Sequence, residues 1–424
     1  MQNPLSYLEG LKQKGINLGL GPISRLLARL DNPQNGYKTI LIGGTNGKGS
    51  TAAILSSILM KEGMNVGLYT SPHLRDFRER IRVNDHTIPG DTLCTLIDNV
   101  RDEIREDVTY FEFATALAFL YFSMCKVDMA IVEVGMGGRL DATNLVSPEV
   151  SIITNISIEH QKYLGNDLKS IASEKGGIIK ERGVCVTAAR GRKVINTLEG
   201  ISRQREAVLY RTGRDIRVRR SGRGDFSYYG INKRYSGLKL SLAGRHQIEN
   251  AALALAAIEV LTEKGVSISD TSVVEGLRDV RWEGRLELVS RNPGIVVDGA
   301  HNPAGISSLC SSLLTDFSYR RLIVVFGVLR DKDYAGMLKK LLPLVDKIVL
   351  TKPKVERAAC TEDLLSVASL HHGNIEVVDD SAEALDRARF LAGADDLVCV
   401  TGSLYLVGEI KKHLCLGLPE NRFL

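Results

Sequence analysis

Residues 38–63 read KTILIGGTNGKGSTAAILSSILMKEG. The first six, Lys38 to Gly43, are mostly β-branched or apolar and read as a strand. Lys48 to Glu62 has helical spacing and is stopped by Gly63. Between them Gly43-Gly44-Thr45-Asn46-Gly47-Lys48-Gly49-Ser50-Thr51 forms a glycine-rich turn. Such a turn lets successive amides face one anion, the helix N-terminus adds its dipole, and Lys48 supplies a full positive charge. The loop is therefore expected to hold phosphate. It departs from G-x-x-x-x-G-K-[ST] twice: Ile42 stands where the first glycine falls, and Gly49 separates Lys48 from Ser50.

The same alternation extends outward. Asn65 to Thr70, Met129 to Val134, Val150 to Asn155 and Val184 to Ala188 read as strands, and Phe111 to Cys125 as an apolar helix. Recurrent βα units predict an α/β fold with a largely parallel sheet. From Arg203 to Arg234 the pattern breaks into arginine-rich, glycine-punctuated alternation, which predicts a small antiparallel elaboration with a charged, solvated edge. After Gly294 the βα rhythm restarts, with strands beginning near Ile295, Leu322, Lys347, Ile375 and Leu397. This predicts a second, Rossmann-like α/β domain over 291–424 following a first domain over 1–290, joined at the polar stretch SRNPG between Leu288 and Gly294. Ser381 is the expected N-cap of a helix over Ala382 to Ala392.

Composition narrows the class. The 424 residues suit two or three domains, and 44% hydrophobic with 25% charged residues excludes disordered, collagen-like and coiled-coil chains. A net charge of +5 is too small to argue for nucleic acid and suits an anionic ligand equally well. Seven scattered cysteines without a C-x-x-C pair point to reduced thiols. The longest apolar run, Phe113 to Phe122, is about half of what a bilayer-spanning helix needs, and Pro4 and Glu9 interrupt any signal-peptide core. The expectation is a cytoplasmic protein without membrane or nucleic-acid partners.

Three further clusters carry chemistry. Glu133 ends an apolar strand and runs into Gly135-Met136-Gly137-Gly138-Arg139-Leu140-Asp141-Ala142-Thr143-Asn144. A carboxylate there is costly unless it is paired, with Arg139 as one candidate, or binds a cation beside the phosphate loop. Thr154-Asn155-Ile156-Ser157-Ile158-Glu159-His160 brings a histidine to the end of another strand, where ligands gather in open α/β sheets. Lys175 and Lys180 follow, and taken alone would read as solvated surface. In the second domain Asp298-Gly299-Ala300-His301-Asn302-Pro303 repeats the strand–turn–helix pattern, although turn chemistry alone could explain its Asp, Gly and Asn.

In order along the chain, GTNGKGS at 44–50, TSPH at 70–73, EVGMGGRLDATN at 133–144, EHQKYLG at 159–165, EKGGIIK at 174–180, GRHQIENA at 244–251 and DGAHNP at 298–303 resemble folylpolyglutamate synthases and bifunctional dihydrofolate/folylpolyglutamate synthases, relatives of the muramyl-peptide ligases. The resemblance implies ATP-dependent ligation of L-glutamate to the carboxylate of a folate, through an acyl phosphate, by a monomer. By the same resemblance Gly44, Thr45, Asn46, Gly47, Lys48, Gly49, Ser50, Asn250, Arg285, Asp298 and His301 would bind ATP. Ser50, Ser71, Glu133, His160 and a carbamylated Lys175 would hold two magnesium ions. Lys48, Lys175 and His301 would be catalytic, with Arg285, Asp298 and His301 closing on ATP from the second domain and its boundary. Leu18, Gly19, Leu20, Phe111, Glu112, Leu140, Asp141 and Ala142 would bind dihydropteroate or a reduced folate. RLDATN resembles the form in bifunctional enzymes. The family more often has Asp and Ala where this chain has Glu159 and Gly176. A muramyl-peptide ligase would need an additional N-terminal domain, for which the 43 residues before the loop leave no room, and a bare P-loop ATPase would leave DGAHNP unexplained.

Overall fold

The computed structural model describes residues 3–15, 17–222 and 224–416. The chain divides into two compact units. One runs through His73 and continues over Phe77–Ser241 and Gln247–Val280; the other comprises Leu74–Asp76, Leu242–His246 and the chain from Arg281 onward.

The first unit is built on eight strands: β1 (Lys38–Gly43), β2 (Val66–Tyr69), β3 (Ile81–Val83), β4 (His86–Thr87), β5 (Met129–Glu133), β6 (Val150–Ile153), β7 (Val184–Thr187) and β8 (Val208–Arg211). Their order is β4-β3-β2-β5-β1-β6-β7-β8, parallel from β2 through β8, with β3 and β4 added antiparallel at one edge. Ile42 lies opposite Glu133 and Gly43 opposite Ile153, so the loops leaving β1, β5 and β6 emerge side by side. The helix Lys48–Lys61 follows β1 with Gly49 through Leu59 buried. The helix Tyr110–Met124 is apolar almost all round because it is packed on nearly every side, and Phe113, Phe119 and Phe122 are fully buried. Each such ring contributes about 1.5–3 kcal/mol relative to exposure. Thr109 and Glu112 start that helix as a reciprocal capping box, a T-x-x-E signal present in the sequence. Among the described residues no helix is long and apolar enough to cross a membrane.

The arginine-rich segment divides differently from expectation. Residues 203–211 finish the helix Arg192–Gln204 and supply β8 to the main sheet; only β9 (Arg217–Arg220), β10 (Asp225–Tyr229) and β11 (Arg234–Lys239) form the antiparallel sheet, in the order β11-β10-β9. Phe226, Tyr228 and Leu238 face inward, while the exposed Tyr229 pairs across the strands with exposed Arg217 and Arg234. The turn after β10 is fastened by buried Glu259, which accepts from the Tyr228 hydroxyl and the Ile231, Asn232 and Lys233 amides.

The second unit holds β12 (Glu287–Arg291), β13 (Gly294–Val297), β14 (Leu322–Phe326), β15 (Lys347–Leu350), β16 (Ile375–Val377) and β17 (Leu397–Thr401), ordered β12-β13-β17-β14-β15-β16. The last five are parallel, at the positions the sequence predicts. Two expectations are corrected here. SRNPG is not the joint between domains but the turn of a hairpin, since β12 pairs antiparallel with β13 and Arg291 stands opposite Gly294; the second unit resumes at Arg281. The N-cap of the helix Ser381–Leu391 is Asp380, whose carboxylate accepts from the Ala382 and Glu383 amides. Ser381 is the first helical residue, and its hydroxyl donates to Glu409.

Candidate active site

The loops after β2, β5, β1 and β6 gather at the carboxyl edge of the first sheet, the position where open α/β sheets bind ligands. In the β1 loop, Gly44 has φ +129 and a Cβ there would fall 2.0 Å from the Thr154 hydroxyl; Gly47 has φ +90 and a Cβ there would meet Asn250 Oδ1 at 2.4 Å. Only glycine fits both the backbone and the space. Asn250 thus lies against the loop, with its amide donating to Gln247 Oε1 at 2.9 Å.

Not every loop amide faces outward. The Thr45 amide donates to the Asn155 carbonyl (2.8 Å) and the Asn46 amide to the Asn155 side chain (2.9 Å), while the Thr154 hydroxyl donates to the Asn46 carbonyl (2.7 Å). The end of β6 therefore moulds the first half of the loop and leaves the first-turn amides of the helix, around Lys48, Gly49 and buried Ser50, without intrahelical partners. Lys48 Nζ donates to the Gly44 and Thr45 carbonyls, both at 3.1 Å.

Glu133 is 5% exposed and accepts from the Ser71 amide at 3.1 Å, with Lys48 Nζ 3.9 Å away. Arg139, the alternative partner, instead pairs with Glu174 at 2.8 Å and is not what neutralises Glu133. A buried carboxylate beside the Ser71 backbone, next to the glycine-rich loop, offers hard oxygen donors. Among the described residues there is no cluster of three or more His, Cys, Asp or Glu side chains that could hold a metal. The residues present fit magnesium, which takes one or two carboxylates and completes its shell with water and phosphate oxygens.

Lys175 and Lys180 are not surface lysines. Lys175 is 2% exposed and donates to the Gly44 carbonyl (2.9 Å) and to Glu159 Oε1 (2.7 Å), which ties the helix Leu168–Gly176 to the phosphate loop. Burial pushes its pKa down, and nearby Lys48 adds to the effect against the pull of Glu159. Burial opposes ionisation of Glu159 as well, but Lys175 and Lys48 overrule it and hold that carboxyl down at about 2. His160, adjacent in sequence, is exposed and caps a short helix from a left-handed conformation, φ +47. Lys180 donates to the Asn144 carbonyl at 2.7 Å, and its pKa is lowered to about 8 by burial and by Arg205.

Beside this polar floor stands an aromatic wall. Tyr69 lies 6.1 Å from the Phe111 ring, and its hydroxyl meets that of Thr115 at 3.3 Å. Asp141 is 6% exposed and accepts from the Met136 amide, the Thr143 amide and the Thr143 hydroxyl; burial raises its pKa against those bonds and the field of Lys48. Of the expected pterin contacts, Leu20 and Phe111 pack on the large core cluster to which Ala142 belongs. Leu140 is half-buried, as is Gly19, whereas Leu18 is exposed ahead of the helix Gly21–Arg29. Glu112 spends one carboxylate oxygen on the capping box, and its other oxygen is buried without a protein partner.

In the second unit Asp298 follows β13 and is 7% exposed, accepting from the Leu286 and Ala300 amides, both at 2.9 Å. His301 Nδ1 donates to the Gly299 carbonyl (2.9 Å), which places the basic lone pair of the neutral ring on Nε2. Arg285 lies against Gly299, and Asn302 caps the helix Pro303–Asp316. Turn chemistry thus accounts for Asn302 and for part of what Asp298 does.

Residues 42–258 match the family described as Mur ligase middle domain, and residues 284–404 that described as Mur ligase, glutamate ligase domain. The dihydrofolate synthase/folylpolyglutamate synthase of Bacillus subtilis is 35% identical over 427 residues, spanning 97% of this chain and 99% of that one. Escherichia coli FolC in complex with DHPP and ADP shares the fold with a TM-score of 0.90 at 33% identity, over 97% of each chain. The bifunctional folylpolyglutamate synthase/dihydrofolate synthase of Yersinia pestis, complexed with AMPPNP and Mn ion, gives 0.86 at 30% identity, again over 97% of each.

Proposed function

The chain belongs to the folylpolyglutamate synthase/dihydrofolate synthase family of Mur-type ligases, and from that premise we propose that it joins the amine of L-glutamate to the free carboxylate of a folate, at the expense of ATP. The observation that carries this reading is the convergence, on one sheet edge, of Lys48, Glu133 and Lys175 with the wall formed by Tyr69, Phe111 and Asp141. A phosphate-handling floor beside an apolar wall suits a flat heterocyclic acid whose carboxylate must be activated.

A carboxylate is a poor acyl donor. Its oxygen first attacks the γ-phosphorus of ATP and ADP leaves; the amine of glutamate then attacks the acyl carbon and phosphate departs, the amine losing its proton. Charge neutralisation dominates such a transfer. The first-turn amides of the helix Lys48–Lys61 and the Lys48 ammonium would bind the phosphoryl oxygens, and Asn250 would border the nucleotide. Ser71, Glu133 and His160 would hold magnesium, with Ser50 beside the phosphates; the ion supplies further neutralisation of phosphoryl charge. Lys175, buried and with a lowered pKa, is suited to lose a proton and add its nitrogen to carbon dioxide, giving a carbamate that would serve a second magnesium. Arg285, Asp298 and His301 would bind the nucleotide, and Leu18, Gly19, Leu20, Phe111, Glu112, Leu140, Asp141 and Ala142 the pterin acid. We propose both synthase activities, on a monomer.

Phosphate release from ATP and magnesium tests the reading. It is compared for L-glutamate with dihydropteroate, L-glutamate with tetrahydrofolate, and glutamate alone, with products identified by mass. Turnover with both pterins is expected. Turnover with one assigns a single activity, and release indifferent to both sinks the ligase.

A further inference from the structure

Arg80 carries a charge that no described residue neutralises. It is 8% exposed, and no carboxylate among the described residues pairs with it. Its Nε donates to His73 Nδ1 at 2.8 Å, and its guanidinium carbon stands 5.9 Å from the Phe77 ring centroid and 5.4 Å from that of Tyr110. Aromatic faces and one neutral acceptor recover part of what it costs to take a guanidinium out of water, but a buried cation without an anion stays unfavourable. Its two terminal nitrogens make no hydrogen bond to a described residue.

The position of this charge gives it a use. The Arg80 carbonyl accepts from the Thr70 amide at 3.0 Å, which pins it beside the segment that leads into Ser71. Tyr110 is the neighbour of Phe111, and the Tyr69 phenol lies in the fields of both Arg80 and Asp141. The guanidinium therefore acts electrostatically on Tyr69 of the aromatic wall, while the Arg80 backbone pairs with the segment that leads into Ser71.

We propose that Arg80 is a carboxylate-binding residue of that site, its planar fork receiving a carboxylate of the pterin acid, with His73 as the positioning residue that holds Nε and leaves the terminal nitrogens for the ligand. This rests on the ligase reading, which supplies a carboxylic acid as substrate. Two carboxylates share the required chemistry: the one that is activated, present in every substrate, and the α-carboxylate of a glutamate the folate already carries. A bidentate guanidinium–carboxylate contact is geometrically specific in a way an ammonium is not, so lysine should replace Arg80 only in part.

The test uses the full chain with Arg80→Met and Arg80→Lys, and measures equilibrium binding of dihydropteroate, its neutral carboxamide, and tetrahydrofolate, together with KM for ATP and the thermal midpoint. The wild-type protein should prefer the acid to the amide by about 10- to 100-fold, the range for hydrogen bonds to a charged group. In Arg80→Met that preference should fall to near unity with KM for ATP unchanged and the midpoint unchanged or raised, and Arg80→Lys should restore part of it. Loss with both acids identifies the activated carboxylate. If dihydropteroate binding is untouched and tetrahydrofolate alone weakens, the α-carboxylate is the ligand. An Arg80→Met protein that binds all three as the wild type does overturns the assignment, as does one that loses amide and acid affinity equally with a lower midpoint. If the wild-type protein itself ligates neither pterin, the ligase reading fails, and this one with it.

Discussion

The floor and the wall of the first unit both bury positive charge, and they resolve it in opposite ways. On the floor Lys175 meets Glu159 at 2.7 Å and Lys48 has Glu133 at 3.9 Å, so cations and carboxylates are interleaved around the phosphate loop. At the wall Arg80 has, among the described residues, aromatic faces and a neutral imidazole but no carboxylate. An internally paired charge belongs to the fold as well as to the chemistry, and removing either partner strands the other. A charge with no internal partner can be removed without stranding anything, and what it loses is the ligand.

The sharpest way to break this contrast is at the floor. Glu133→Gln is expected to lower magnesium-dependent turnover by about 1000-fold or more, because it removes one anionic ligand at nearly constant volume; titration of phosphate release against magnesium reads the loss. Unchanged activity would remove Glu133 from the metal site. Lys175→Ala should cost about 100-fold in turnover, partly restored by short carboxylic acids, and, measured against protein whose Lys175 is not carbamylated, about 3 kcal/mol in urea unfolding because Glu159 is left buried. Arg80→Met should show no such stability loss; equal destabilisation of the two variants would erase the distinction between floor and wall.

Acid unfolding sharpens it further. With Lys175 as the unmodified ammonium, the Glu159 carboxyl lies at about 2 against an ordinary 4.5, so its contribution is fully present above pH 4.5 and is lost as pH falls towards about 2. The stability gap between wild type and Glu159→Gln, about 3 kcal/mol at neutral pH, should close across that window, and a gap that persists at pH 2 would assign it to packing. The smallest effect is expected at Asp141→Ala, which should raise KM for the pterin acid about 10-fold and leave KM for ATP near its original value. Equal change in both would detach Asp141 from the wall.

The sequence carries the floor more openly than the wall. A strand, a glycine-rich turn with Lys48, and polar residues at the ends of two further apolar strands form a local signal, because each functional group lies within a few residues of a strand terminus. The partner of Lys175 could not be read that way, since Glu159 lies sixteen residues away across a loop and a helix. Lys175 and Lys180 look like surface lysines until packing buries them. Arg80 sits in Arg78-Glu79-Arg80, a run that reads as solvated, and only the approach of Phe77 and Tyr110 withdraws it from water. The joint at SRNPG failed for a related reason: proline and glycine mark a reversal equally well whether the flanking segments pair or separate. Ser381 and Asp380 are both good caps, and the extended conformation of Asp380 decided between them.

The antiparallel sheet has a practical consequence for anyone handling the protein. Residues 211–239 contain nine basic and two acidic side chains, a net of +7, which exceeds the +5 of the entire chain. The remainder of the sequence is therefore slightly anionic at neutral pH, and the molecule is electrically lopsided. A cation-exchange resin senses local charge rather than the sum, so the protein should be gripped by Arg217, Arg219 and Arg234 and elute at higher salt than a uniformly spread +5 would require.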